Sequence, residues 1–170
     1  MSLIISSKGD FNKTHCIRCG AAHIEDQFPK TCTRCRHMMF VNPLPVAVVL
    51  IPVKGKGILL VKRAIPPFVG SLALVGGYVD QGETAQEAAC REAMEEVGVK
   101  IDPELELLGI SGSSPTNKHL LVYFKAKEIE ESDIKFKVNN EVSAIAFAAE
   151  PMELAFPNHT EYLKKVLSKK

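Results

Sequence analysis

The sequence lacks an excess of charge of either sign: 21 lysines and arginines stand against 20 aspartates and glutamates, a formal net charge of +1. So balanced a chain offers no broad basic surface for nucleic acid or an anionic membrane. It has no apolar run of membrane-spanning length, and its first residues lack the positive-then-apolar layout of a signal peptide. A cytoplasmic protein is therefore expected, with neither a membrane nor nucleic acid as partner. Tryptophan is absent altogether. What is present is ordinary for a globular protein, with 46% apolar and 24% charged residues. At 170 residues there is room for one full domain with a real core and a small module besides.

Cysteine is scarce but paired. Four of the five lie in two C-x-x-C knuckles, Cys16-Ile17-Arg18-Cys19 and Cys32-Thr33-Arg34-Cys35, separated by 12 residues. Two such knuckles at short separation can close a tetrahedral four-thiolate zinc site. The competing arrangement, two disulfides, belongs to secreted chains. His15, His23 and His37 flank the knuckles, but four thiolates already satisfy the metal. A closed site leaves no position for water, so this Zn²⁺ is expected to be structural. Residues 14–40 are too few for a core and would need the metal to fold. They read as a small N-terminal zinc ribbon serving packing or dimerisation, which makes a homodimer one expectation. The ribbon lacks the aromatic and basic clustering of a nucleic-acid binder.

From residue 41 to 170 the pattern is that of an α/β domain. Asn42-Pro43-Leu44-Pro45 makes a stiff linker. Strands are expected at 46–53, 58–63, 72–75, 104–111, 120–127 and 144–148, with a weaker one at 134–138. A helical turn is expected at 150–155 and a helix at 160–167. Strands interleaved with helices imply a sandwich with a mixed sheet.

The densest signal lies at 77–99. Gly76-Gly77 leads through a polar turn into a helix that Thr84 and Glu87 can open with a capping box and Gly98 can close, Val99 then starting a strand. Ala89, Cys90, Ala93 and Val97 share one face. Glu92, Glu95 and Glu96 share another, where they repel one another unless a cation such as Mg²⁺ or Mn²⁺ joins them. Alone, three glutamates read first as a solvated face.

The spacing resolves this. The stretch resembles the Nudix box, G-x5-E-x7-R-E-U-x-E-E-x-G-U with U aliphatic. Gly77, Glu83, Arg91, Glu92, Glu95, Glu96, Gly98 and Val99 stand at its fixed positions and Ala93 at the small apolar one. The resemblance implies a Nudix α/β/α sandwich in which Glu92, Glu95 and Glu96 hold divalent metal and backbone beside Gly76-Gly77 adds contacts. It makes Glu83 and Arg91 a structural pair tying loop to helix. Glu141, just before the last strand, then stands where such proteins carry a metal ligand or general base, with Glu95 or Glu96 the alternative base. Arg63, Lys118 and His119 are candidate phosphate or base contacts, though each could be plain surface.

The implied activity is a metal-dependent hydrolase that cleaves the pyrophosphate of a nucleoside diphosphate linked to another moiety, of the FAD, ADP-ribose or NADH type, releasing a nucleoside monophosphate. Residues 113–117, Ser-Ser-Pro-Thr-Asn, lack the Gln and Trp of the NADH-enzyme signature. Leu154-Ala155-Phe156-Pro157 looks more like the FAD or ADP-ribose group, and Phe156 could stack on a base or pack in the core. Leu72 and Val75 stand where relatives often have Trp and Pro. A silent nucleotide sensor and an RNA-decapping enzyme are the alternatives; the intact glutamates speak against the sensor.

Overall fold

The computed structural model describes residues 14–23, 28–113 and 118–168. Contacts divide the chain into two compact units, one ending at Asn42 and the other beginning at Pro43. In the first, strands β1 (Lys30–Thr31) and β2 (Met38–Met39) pair antiparallel, and Cys16, Cys32 and Met39 form the buried centre. Each knuckle is closed by one tight turn: Gly20 N–H donates to Cys16 O at 2.8 Å and Arg36 N–H to Cys32 O at 2.9 Å.

In the second unit a run without alternation sets the architecture. Strand β3 (Leu44–Leu50) is buried on both faces from Ala47 onward, so its side chains serve two cores. Ala47, Val49 and Ile51 belong to one, Val48 and Leu50 to the other. Strand β5 (Gly57–Arg63) divides the same way, Leu59 and Val61 against Ile58 and Leu60. Helix α1 (Ala85–Val97) closes the first core with Ala88, Ala89, Ala93 and Val97; helix α2 (Pro157–Leu167) closes the second with Tyr162 and Leu163. This is the expected α/β/α sandwich.

Between the helices lie two four-stranded sheets. One runs β7 (Val75–Tyr78), β3, β9 (His119–Lys125), β8 (Glu106–Gly112), and it is mixed, because only β3 and β9 are parallel. The other sets β10 (Val142–Ala148) beside β5, which also pairs β4 (Pro52–Val53) and β6 (Leu72–Ala73), all antiparallel.

The sequence 72–75, expected as one strand, is split between the two sheets. Ala73 pairs Val61 in one, Val75 pairs Val49 in the other, and Leu74 makes the crossing. There its buried N–H donates to His159 Nδ1 at 3.2 Å. Val99 starts no strand; it sinks into the core while its N–H bonds Ala93 O around the left-handed Gly98 cap (φ 65°). Residues 134–138 also stay irregular, since Lys135 N–H turns to Gly98 O at the helix end. The stretch 150–155 forms no helix because its donors are taken elsewhere: Leu154 N–H by Thr160 Oγ1 and Ala155 N–H by Leu72 O, each at 2.8 Å. Helix α2 starts earlier than expected, with Pro157 at its first position. No helix among the described residues is long and apolar enough to cross a membrane.

Candidate active site

Helix α1 is capped by its own sequence at its start and tied at its end by a distant residue. Thr84 Oγ1 accepts from Glu87 N–H at 3.2 Å, and Glu87 Oε2 accepts from Thr84 N–H at 2.7 Å, the capping box that the spacing implied. At the other end Asn139 Nδ2 donates to the carbonyls of Glu95 and Glu96 at 3.3 and 3.2 Å, while its Oδ1 accepts from the N–H of Glu141 and Val142. One amide therefore ties the end of α1 to the start of β10 and sets Glu141 beside the helix.

Arg91 is the hub of the acidic face. Its guanidinium grips Glu83 with two donors at 2.7 and 3.2 Å, donates to Tyr78 O at 2.8 Å, and reaches Glu92 at 2.7 Å and Glu95 at 3.1 Å. A forked, permanently charged side chain is suited to holding several acceptors at fixed angles. The same contact, with Asp80 N–H donating to Glu83, keeps the Glu83 carboxyl below its ordinary range.

Strand β7 carries Gly76 and Gly77 against the helix. Gly76 N–H donates to Glu96 Oε2 at 3.0 Å. At Gly77 a Cβ would lie only 2.2 Å from Glu92 Oε1, so the glycine leaves room for a carboxylate. Burial pushes Glu92 up, Arg91 partly offsetting it; burial pushes Glu96 up to about 8, offset by the Gly76 N–H and reinforced by the charges of Glu92 and Glu141. Carboxylates so destabilised by burial and by one another are ones a cation would relieve. All-oxygen donors of this kind fit a hard divalent ion.

These groups share one cavity of about 910 Å³, lined among others by Glu92, Glu95, Glu96, Glu141, Gly76, Gly77, Arg91 and Arg63. That is within the range of small-molecule sites. His119 lines it too, its Nε2 3.2 Å from Tyr78 Oη, whereas Lys118 is not part of the lining. Arg63 is largely committed elsewhere: it donates to the carbonyls of Pro67 (2.8 Å), Pro66 (3.3 Å) and Ile65 (3.4 Å), with its guanidinium 5.1 Å from the Phe156 ring centre. Of the segment 113–117, only Ser113 lies among the described residues; it lines the cavity, and its Oγ accepts from His119 N–H. Phe156 both packs against the first core and faces the cavity.

Sequence reasoning missed Asn139, Phe68 and His159. No local pattern marks Phe68 or His159. Asn139 sat in view, two residues before Glu141, as a turn-forming residue whose side chain suits its own backbone.

Among all the described residues, only Cys16, Cys19, Cys32 and Cys35 form a group of three or more such side chains whose potential ligand atoms all lie within 4.8 Å of one another; Glu92, Glu95 and Glu96 share the cavity without converging that closely. The Sγ atoms of Cys16 and Cys35 are 3.6 Å apart and those of Cys19 and Cys32 3.7 Å. Four sulfurs at about 2.3 Å from a tetrahedral Zn²⁺ lie about 3.8 Å from one another, so the thiols fit the ion. The N–H groups of Cys35 and Arg34 lower the Cys32 thiol against its burial, while Cys35, though its sulfur accepts from the His37 N–H, is pushed up by burial and by the three neighbouring sulfurs.

A model of the NUDIX domain matches residues 42–169. An ADP-ribose pyrophosphatase of Methanocaldococcus jannaschii is 44% identical over 78 residues, which are 46% of this chain and 45% of that protein. The NAD-capped RNA hydrolase NudC of Haemophilus influenzae is 34% identical over 97 residues, 54% of this chain and 36% of that one. The chain thus spans less than half the length of these curated relatives. Among solved structures, a NUDIX hydrolase from Nitrosomonas europaea superposes with a TM-score of 0.67 at 24% identity, covering 92% of both chains. That likeness bears on the fold.

Proposed function

The chain belongs to the NUDIX family, and on that premise we propose that it hydrolyses the pyrophosphate bond of a nucleoside diphosphate joined to a second moiety, of the ADP-ribose or FAD type. The observation that carries this is the seating of Glu92, which is buried, and Glu96, which is half-buried, against the Gly76-Gly77 backbone inside a cavity of nucleotide size. The 44%-identical relative named an ADP-ribose pyrophosphatase supports the substrate class.

Glu92, Glu95 and Glu96 would hold Mg²⁺ or Mn²⁺, which when bound neutralises charge on the diphosphate and lowers the pKa of water. Arg91 holds Glu92 and Glu95 in place and is itself clamped by Glu83. The Gly76 N–H orients Glu96. Glu141, set by Asn139, takes the proton of the attacking water as oxygen adds to one phosphorus and the bridging P–O bond breaks. The products are a nucleoside monophosphate and a second monophosphate. The four cysteines would hold a structural Zn²⁺. Free thiols suit a reducing compartment, and the cytoplasm is the location within this reading.

Capped RNA is a second substrate class, favoured by the name of the Haemophilus relative, since a dinucleotide cap offers the same bond. Incubation of the protein with ADP-ribose, FAD, NADH and a capped RNA in excess Mg²⁺ tests both, read by chromatography as AMP from the first three and as a released cap mononucleotide with 5′-monophosphate RNA from the last. Release of such a product from one of them, abolished by a chelator, is expected. Glu95→Gln, on an exposed face, should lose most of that activity while keeping its melting temperature. Near-normal turnover by this variant would remove Glu95 from the metal site. Binding without cleavage of any substrate by the wild-type protein would make it a sensor.

A further inference from the structure

Of the polar side chains around the catalytic cavity, one has a fixed role in the fold and an unused group facing the cavity. His159 lies in the first turn of α2 and is 7% exposed. Its Nδ1 accepts the N–H of Leu74, the residue at which the chain crosses between sheets. A main-chain N–H can only donate, so in the neutral ring the proton sits on Nε2. Among the described residues nothing accepts from that Nε2–H, and the Tyr123 hydroxyl is the only buried side-chain N or O atom without a partner. The Nε2–H is therefore open to the cavity that His159 lines.

Its neighbours are flat and apolar. The Phe156 ring centre lies 4.9 Å from that of His159, and Phe68, 53% exposed, stands edge-on to Phe156 at 5.4 Å. The loop that carries Phe68 is held by the Arg63 guanidinium, whose Nε and Nη2 donate to the carbonyls of Pro67, Pro66 and Ile65. On its other contact the imidazole meets Tyr123 edge-on at 6.0 Å, which limits rotation. A neutral donor beside two phenyl rings suits a planar heterocycle with an acceptor nitrogen.

We propose that His159 determines substrate specificity by donating from Nε2–H to a ring nitrogen of the substrate's purine base, which lies against Phe156 and Phe68. This rests on the nucleotide reading above, and it assigns the base end of the ligand to a part of the cavity other than the glutamates. Burial, with the charge of Arg63, holds the imidazole at about 3, so it stays neutral and keeps this donor across the physiological range. A pocket that hydrogen-bonds a substrate discriminates against analogues lacking the matching atom.

The test is binding of AMP and its 1-, 3- and 7-deaza analogues, by calorimetry, to the full-length wild-type protein and to His159→Asn. An asparagine amide oxygen can stand in for Nδ1 toward Leu74 while the Nε2 donor is lost. The wild-type protein is expected to bind one deaza analogue roughly tenfold more weakly than AMP, with His159→Asn weakened to AMP by that factor and indifferent to the same analogue. Equal affinity of the wild-type protein for AMP and all three analogues would overturn the proposal, whether or not the variant folds. So would a folded variant that still discriminates. Phe68→Ala, on the exposed loop, should weaken AMP severalfold and leave ribose 5-phosphate unchanged; no effect on AMP would remove the stacking surface. If AMP binds and ADP-ribose is cleaved without analogue discrimination, only His159's role fails. If neither AMP binds nor any substrate is cleaved, the nucleotide reading fails with it.

Discussion

Gly77→Ala separates a catalytic geometry from a fold. The added Cβ would stand 2.2 Å from Glu92 Oε1 and 2.5 Å from its Cδ. Since carbon contacts relax at about 3.5 Å, the carboxylate must withdraw by roughly 1.3 Å. It is the end of a flexible side chain, so it can move, but doing so breaks its 2.7 Å contact with Arg91. Losing that contact costs about 1 kcal/mol, and alanine in a strand regains about 0.5–1 kcal/mol over glycine. The net change in stability should be within about 1 kcal/mol, a melting shift of no more than about 4 °C for a chain of this size. Activity should suffer far more, because misplacing a group by about 1 Å costs on the order of 100-fold. The assay is AMP release from ADP-ribose in Mg²⁺ beside a thermal melt. Gly76→Ala is the control: its Cβ would meet Ala47 O at 2.3 Å and Val48 Cα at 2.8 Å, backbone held by the β3–β7 ladder. It should fail by unfolding. A Gly77→Ala protein with more than a third of wild-type activity would refute the idea that this glycine exists to seat Glu92.

Arg91→Lys keeps the charge but cannot satisfy five contacts at once, so it should destabilise by roughly 1–2 kcal/mol, read from a denaturant midpoint, and reduce turnover through Glu92 and Glu95. Elemental analysis should find about one tightly held zinc per chain, and a folded N-terminal unit free of metal would exclude the ribbon. The depressed His159 predicts a pH effect: between its ordinary 6.5 and about 3 the unfolded chain binds a proton that the folded one refuses, so stability is lost as pH falls. Compared with His159→Asn, which cancels the shared carboxyl titrations, the wild-type protein should lose about 2 kcal/mol of relative stability from pH 6.5 to 4.5. A parallel pair of pH curves would mean that the imidazole is not buried as described.

The sequence by itself determined whatever is written over a few turns of chain. The capping box, the left-handed Gly98, the Glu83–Arg91 pair and the four convergent thiols all depend on spacings of three to a dozen or so residues, and each is where it was expected. The helix period alone put Glu92, Glu95 and Glu96 within one arc and Cys90, Ala93 and Val97 on another. Burial of β3 on both faces was likewise legible in its unbroken apolar run. The tertiary structure decided what depends on distant segments meeting. It split 72–75 between two sheets, because the two ladders draw Ala73 and Val75 to different partners. It left 134–138 and 150–155 irregular, because their donors found acceptors at Gly98, Thr160 and Leu72. It spent Arg63 on the loop carbonyls it could reach, and it brought His159, 85 residues away, to the one crossing N–H that needed an acceptor. A side chain's role at such a place is fixed by which partners the packed backbone leaves unsatisfied, and no local spacing encodes that.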